Sequence, residues 1–594
     1  MADDKMFTNL EPEKPTNMSY PAPDSPSTEV GSVSQGPKGP ILTRFVDSFR
    51  QQKGVTVTPG GVVGADGKVF EQEVALPELS HSLKPRHLQM IAIGGSIGTG
   101  LFVGSGSALE AGGPASLVIA YGLIGAMLFC TVHALGEMAV TFPVAGSFAA
   151  YSTRFLDPAW GFAMGWNYAL QWLITLPLEI IAASITLGFW EGSKDVNPAA
   201  WVTIFLLLII AINFFGVKGY GEAEFVFSII KVAAVIGFII LGIVLNVGGG
   251  PNHEYIGARY WYNPGAFHNG FKGLCSVFVT AAFSFAGTEL VGLAAAETEN
   301  PRKALPTAIK QVFWRILLFY MVSLTIVGVL VPYNDPALLN GGGSSDANAS
   351  PFVIAIRNAG VGGIPSVMNV VIMIAVLSVG NSAVYGSSRT LAALADQGQA
   401  PKILGYIDRK GRPLISICVA SGFGFLCYLV AAGADKRTEA FNWMLAISGL
   451  ASIFTWGSIC LCHIRFRAAW KKQGRSLDEL AFRSQAGVIG SWCGFVFNIL
   501  VLMAQFWTGF APVGYGSMTV GERIQNFFEG YLAAPIVVVA YVFYKVIYKT
   551  KIVRSADVDL HSGMRELNVA ELIAEERAEM MTWPRYKKIW RTVC

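Results

Sequence analysis

The sequence predicts an all-α polytopic membrane protein with twelve transmembrane helices, and three observations carry that reading. Composition comes first: of 594 residues, 53% are hydrophobic and only 14% charged, with a mean hydropathy of +0.47, far too apolar for a soluble protein. The second is arrangement, because the apolar residues fall in runs of about 20, the length of a membrane helix. The third is charge placement. Lys and Arg collect in alternate loops, about twenty on the side of the N-terminus against roughly seven opposite, so both tails are expected in the cytoplasm. Beside that distribution the net charge of +4 says little.

Residues 1–84 are polar, rich in Pro, Ser and Gly, and have no apolar core near Met1. They read as a disordered cytoplasmic tail without a signal peptide. After Leu83-Lys84-Pro85-Arg86-His87 the first span runs to about Ala111. Further spans are expected near 116–140, 160–190, 199–216, 224–247, 274–296, 308–332, 364–394, 414–433, 441–464, 487–508 and 530–548. Residues 85–548 thus make one membrane domain, and 549–594 a second cytoplasmic tail with a short amphipathic helical pattern over 569–581.

The first span is not an ordinary helix. Its centre, I-A-I-G-G-S-I-G-T-G-L-F-V (91–103), holds Gly94, Gly95, Gly98 and Gly100. Each Gly costs a helix about 1 kcal/mol relative to Ala, so the span is expected to break. Broken backbone at bilayer depth survives only inside protein or beside a watery cavity. A half-helix starting at Thr99-Gly100 would aim free N–H groups and its positive dipole end into that cavity, where a carboxylate fits. The alternative is a helix crossing made close by small residues. A second interrupted span, 278–296, carries Gly287-Thr288-Glu289-Leu290, which echoes Gly98-Thr99-Gly100-Leu101. Interruptions in the first and sixth spans suggest two similar halves, the sequence pointer to a transporter binding site.

Glu137, Glu179, Lys231 and Glu289 fall inside predicted spans. An uncompensated charge at a helix centre costs about 2.5–3.5 kcal/mol, so such groups face a cavity or a partner. Glu137 reads as an anchor at the interface. Gln171, Thr175 and Glu179 are four apart and share one helical face. With Pro177 loosening the backbone, that face reads as a cavity wall or as interhelical hydrogen bonding. Lys231 lies about two turns into span five. It could exchange a proton, stay charged where related folds bind sodium, or snorkel to the surface.

Other chemistry is excluded. Seven of eight cysteines (Cys130, Cys275, Cys418, Cys427, Cys460, Cys462 and Cys493) lie in or beside apolar spans and read as small hydrophobes. The seven histidines lack metal-ligand spacing, and no phosphate-binding loop or nucleophile-and-base arrangement appears. Neither enzyme, metal, cofactor nor nucleic-acid partner is expected, and any pumping would draw on an ion gradient. Asn348-Ala349-Ser350 forms a glycosylation sequon, but Pro351 directly after it argues against its use.

Long motifs then resemble one family. R-H-L-Q-M-I-A-I-G-G-S-I-G-T-G-L-F (86–102), L-P-L-E-I-I-A-A-S (176–184), F-S-F-A-G-T-E-L-V-G-L-A-A-A-E-T-E-N-P-R-K (283–303), S-V-G-N-S-A-V-Y (378–385), D-R-K-G-R-P (408–413) and F-N-W-M-L-A-I-S-G-L (441–450) closely resemble fungal amino acid permeases. Within that family the chain looks most like the general amino acid permeases. The family sits in the amino acid–polyamine–organocation superfamily. The resemblance therefore implies a LeuT-like fold of two inverted five-helix repeats plus two helices. It also implies proton-coupled uptake of a broad range of L-amino acids at the plasma membrane by alternating access.

Carried over, the substrate carboxylate would sit on the backbone of Ser96 and Gly98 and on Thr99 and Gly100. The ammonium would sit on carbonyls around Ala282, Phe283 and Ser284, with Phe283 as an aromatic gate and Gly287 in the second break. Gln171, Thr175 and Glu179 would shape the side-chain pocket, and Lys231 with Glu179 would couple the proton. Cys594 resembles a palmitoylated terminal cysteine. Lys5, Lys14, Lys38, Lys53 and Lys68 would be open to a ubiquitin ligase and its adaptor, during cycling through endosomes and Golgi. L-amino acids, protons and membrane lipids complete the implied partners. The competing reading is a non-transporting amino acid sensor on the same fold.

Overall fold

The computed structural model describes residues 47–51, 62–63, 69–70, 79–80, 83–298, 300–339, 350–564 and 584. Of the unit Met1–Ser48 only Asp47 and Ser48 are described, and the larger unit, Phe49–Cys594, contains the helical body. The tail lysines, Asn348, the 569–581 pattern and Cys594 lie outside the described residues.

Among the described residues the regular structure is helical apart from a two-residue ladder, Val62–Val63 on Val69–Phe70, and two isolated bridges. In order, the main helices are α1 (Pro85–Gly94), α2 (Gly100–Thr141), α3 (Pro158–Leu187), α4 (Pro198–Phe214), α5 (Gly216–Asn246), α6 (Gly270–Phe285) and α7 (Leu290–Ala294). They continue with α8 (Pro301–Leu330), α9 (Ile364–Asp396), α10 (Leu414–Ala431), α11 (Lys436–Lys472), α12 (Gly487–Phe510), α13 (Val520–Tyr531) and α14 (Ala533–Tyr548). Counting α6 and α7 as one span, nine helices among the described residues are long and apolar enough to cross a membrane, ten with the α13–α14 pair. α4 is apolar but shorter, at 17 residues.

Two departures from the expected spans have local causes. No loop separates the first span from the second: the helix runs on from Gly100 to Thr141, turned only where Gly113 takes φ +77° before Pro114. Glycine tolerates that left-handed backbone, and proline restarts a helix without needing an amide partner. The expected last span, 530–548, is a 16-residue helix bent by 62° from α13. Elsewhere the starts follow familiar capping. Asp157 and Asn197 accept from the amides of Ala159 and Ala199, each at 2.9 Å, and Asn300 from that of Lys303 at 3.3 Å. Proline follows each cap, where its missing N–H costs nothing.

The helices divide into an inner and an outer set. In α3, α9, α11 and the α6–α7 span the most apolar stretch is 72–83% buried, against 28–33% in α5, α10 and the α12 span. The outer helices expose Leu207, Ile240, Ile489 and Val539 among many large apolar side chains. A belt of that kind suits hydrocarbon rather than water. The inner helices surround the breaks: α3 packs chiefly on α9, and α2 on α6.

The segment after α14 lies along the N-terminal-side ends of the helices. The amide of Val553 donates to Leu156 O at 2.8 Å, and Gln473, Arg475 and Arg154 donate to the carbonyls of Val558, Leu560 and Ser562 at 2.8, 3.1 and 2.9 Å. Arg465 also donates to Val553 O. On the same side Glu137 is fully buried as an anchor, accepting from Arg467 at 2.9 Å and from the Ser484 amide at 2.7 Å.

Candidate functional site

Both glycine-rich spans break where expected. α1 stops at Gly94 and helix resumes at Thr99, while α6 stops at Phe285 and α7 starts at Leu290. In the first break Phe102 N–H makes the first bond of the new helix, to Gly98 O at 3.1 Å. The amides just before it therefore have no partner within the helix, and the positive dipole end points back into the break. In the second break Gly287 takes φ +96°. The close-packing alternative is realised as well. A Cβ on Gly100 would lie 2.4 Å from Ser284 Cα, and one on Gly94 would lie 2.9 Å from Ser228 Cα. The glycines both end the helix and let backbones meet.

A small cavity of about 10 Å³ lies between the breaks and α3, room for about one water. Ser96, Gly98, Thr99 and Gly100 line it from the first break, Thr175 and Glu179 from α3, and Phe283 from α6. Seven of the eleven predicted substrate residues therefore converge. Gln171 is fully buried one turn from Thr175, and among the described residues neither of its amide atoms has a hydrogen-bond partner. Ala282, Ser284 and Gly287 stand behind the wall. The Ala282 and Phe283 carbonyls both accept from Ala286 N–H, at 3.0 and 3.1 Å, and Ser284 O accepts from Tyr320 at 2.7 Å. A carbonyl has two lone pairs, so each keeps one in reserve.

The predicted charges acquire partners. Glu179 accepts from the Thr99 hydroxyl at 2.5 Å, so a carboxylate already faces the start of the second half-helix. Thr175 bonds Ser448 of α11 at 2.9 Å. Lys231 does not snorkel: its side chain is fully buried and donates to Gly94 O at 2.7 Å and to Ser378 Oγ at 2.8 Å. Glu224 lies 3.3 Å from the ammonium and accepts from Ser378 at 2.6 Å. Glu289 binds back to Gly287 N–H at 3.2 Å and accepts from Trp456 at 3.1 Å.

Several participants were missed from sequence. Trp172 and Val379 line the cavity, and Arg315, Tyr320 and Tyr121 brace the breaks from outside it. Arg315 stood inside the expected seventh span, 308–332, so its charge was a readable signal. Glu224 sat at the predicted edge of span five, seven residues before Lys231 and hence two turns away on the same face.

The two sides of the cavity differ. On the N-terminal side the end of the α6–α7 span is tied to α9 by Glu297, which pairs with Arg389 at 3.1 Å and accepts from Tyr385 at 3.0 Å, all three buried. Tyr385 stacks on Tyr220 of α5 with centroids 4.2 Å apart. Leu83 N–H closes the start of α1 onto Glu297 O at 3.1 Å. On the opposite side lies a cavity of about 490 Å³ of mixed lining, with polar residues such as Ser107, Glu110, Lys272 and Glu529 beside apolar ones such as Val513 and Met518.

Comparison with known proteins places the chain among permeases. Residues 87–556 match the family described as amino acid permease. The chain is 58% identical to the general amino-acid permease GAP2 of Candida albicans, with 93% of each chain covered. It is 54% identical to the general amino-acid permease GAP1 of Saccharomyces cerevisiae, covering 95% of this chain and 93% of that one. Against the cationic amino acid transporter 1 of Schizosaccharomyces pombe the identity is 49%, with 94% and 91% covered.

Proposed function

This chain belongs to the amino acid permease family, and from that premise we propose that it is a proton-coupled symporter importing a broad range of L-amino acids across the plasma membrane. The observation that carries the reading is the convergence of two broken helices on one cavity. One offers the N–H end of a helix and the other the C=O end, and together they suit a zwitterion. At about 10 Å³ the cavity is closed down, so loading requires the helices around it to part, as alternating access demands.

In this reading 85–548 is a twelve-span domain of two inverted five-helix repeats plus two helices, between cytoplasmic tails 1–84 and 549–594. The corner at Gly113-Pro114 divides spans one and two, and α4 is the fourth. The substrate carboxylate sits at Ser96, Gly98, Thr99 and Gly100, and its ammonium at the carbonyls of Ala282, Phe283 and Ser284, beside Gly287. Gln171, Thr175 and Glu179 set the side-chain range. Lys231 with Glu224 changes charge during the cycle while Glu179 faces substrate. The resemblance alone supports lipidation at Cys594 and ubiquitination at Lys5 and Lys14, with recycling through endosomes and Golgi. Uptake of a panel of labelled amino acids, with and without a protonophore, tests the function. Concentrative uptake that the protonophore abolishes is expected; accumulation untouched by it refutes the coupling.

A further inference from the structure

Arg315 is a fully buried cation that has no carboxylate within ion-pair distance among the described residues. Its Nη1 donates to Ala92 O at 2.6 Å, and its Nη2 donates to the hydroxyls of Ser96 and Thr288. Its Nε has no hydrogen-bond partner among the described residues. One side chain from α8 thus touches the last turn of α1 and both breaks. The carbonyl end of α1 carries partial negative charge, which offsets part of the cost of burying a cation. Neutral hydroxyls and a carbonyl do not replace a counter-ion.

We infer that the substrate carboxylate is that counter-ion, and that Arg315 is a positioning residue acting on it through Ser96. The inference rests on the amino acid transport reading and deepens it. Ser96 lines the cavity and Arg315 stands behind it. By donating to Ser96 Oγ, the guanidinium engages that oxygen as an acceptor. The hydroxyl's own proton is left for Tyr320, 3.1 Å away, or for an anion in the cavity. The positive charge also opposes Glu179, which lines the same cavity and would otherwise repel an incoming carboxylate. Glu289, Lys231 and Glu224 are further ionisable groups at the breaks, and each has partners of its own.

The test uses full-length protein and competition against uptake of one labelled neutral amino acid. The competitors are the unlabelled amino acid and its carboxamide, which keeps the ammonium and side chain but lacks the carboxylate. Arg315→Gln should lower the preference for the acid over the amide about tenfold, equivalent to about 1.4 kcal/mol, chiefly through KM. Arg315→Lys should restore most of it. A purely structural pin would lower the amount at the surface or the maximal rate, leaving the preference within about threefold of the unmodified protein; that result overturns the inference. Should Arg315→Gln fail to reach the membrane, Ser96→Ala removes the intervening hydroxyl, and an unchanged preference there overturns it equally. If the unmodified protein accumulates no amino acid, the transport reading itself falls.

Discussion

At position 100 a single methyl group decides whether the two breaks can meet. Alanine there would place its Cβ 2.4 Å from Ser284 Cα, and backbone cannot step aside. Gly100→Ala should therefore abolish uptake while leaving protein at the surface, measured together by labelled substrate and surface biotinylation. Gly98 differs, because its added Cβ would meet Val379 Cγ2 at 2.5 Å, a side chain that can be trimmed. Gly98→Ala should lose most uptake, and Gly98→Ala with Val379→Ala should recover a substantial part; no recovery would point to the backbone amide itself. At the proposed coupling site, Lys231→Met should still bind substrate but lose concentrative uptake, since a fixed neutral group cannot follow a proton. Glu224→Gln leaves that lysine buried without its carboxylate, a loss worth about 3–5 kcal/mol. Adding Lys231→Met should regain part of the thermal stability lost. Residue types were legible before partners were. The lysine, the span-three glutamate and the glycines stood out in the sequence, whereas Arg315 and Glu224 acquire meaning only when α8 and α5 pack against the first break.

Among the elements, the helices were readable and their corners were not. Apolar runs placed most spans to within a few residues, because burial in lipid or protein demands them. The Gly113-Pro114 corner hides in a continuous apolar run, since turning there needs only one positive φ. The closure of the N-terminal side was likewise invisible, being built from residues 297, 385 and 389 on separate helices. Arg389→Gln should strand Glu297 in that closure. Cysteines introduced at the cavity should then react faster with reagents applied from the N-terminal side, and faster labelling from the opposite side would contradict this assignment. The segment 553–562 strapped over the helix ends makes a separate claim. Ending the chain at residue 551 removes carbonyl partners from Arg465, Arg475 and Arg154, each bond worth about 1 kcal/mol net. Thermal unfolding of the purified protein should come several degrees earlier. Within that strap, hydrogen bonds from Ser562 and then the His561 amide hold the Asp559 carboxyl down at about 2. A depressed carboxyl stabilises the fold above its ordinary range and ceases to do so only as pH falls toward 2, so the strap should keep its grip at any pH near neutrality.

For the whole molecule the question is energetic. An inward proton yields about 2.3 kcal/mol per 100 mV and about 1.36 kcal/mol per pH unit. With ~100 mV and ~2 pH units the sum is roughly 5 kcal/mol, enough for three to four decades of accumulation of a neutral amino acid. One-to-one coupling then predicts that the steady-state concentration ratio rises about tenfold per unit of pH gradient at fixed voltage. A flat response would remove the proton from the cycle, and a hundredfold response would require two. The unequal surroundings of the two glycines reach beyond any single assay. Ser284 Cα cannot retreat, whereas the valine opposite Gly98 can shrink, grow or become polar. Descendants of this gene are thus confined at one position and free at the other, and diversification of diet would be written at residue 379 while residue 100 stays silent.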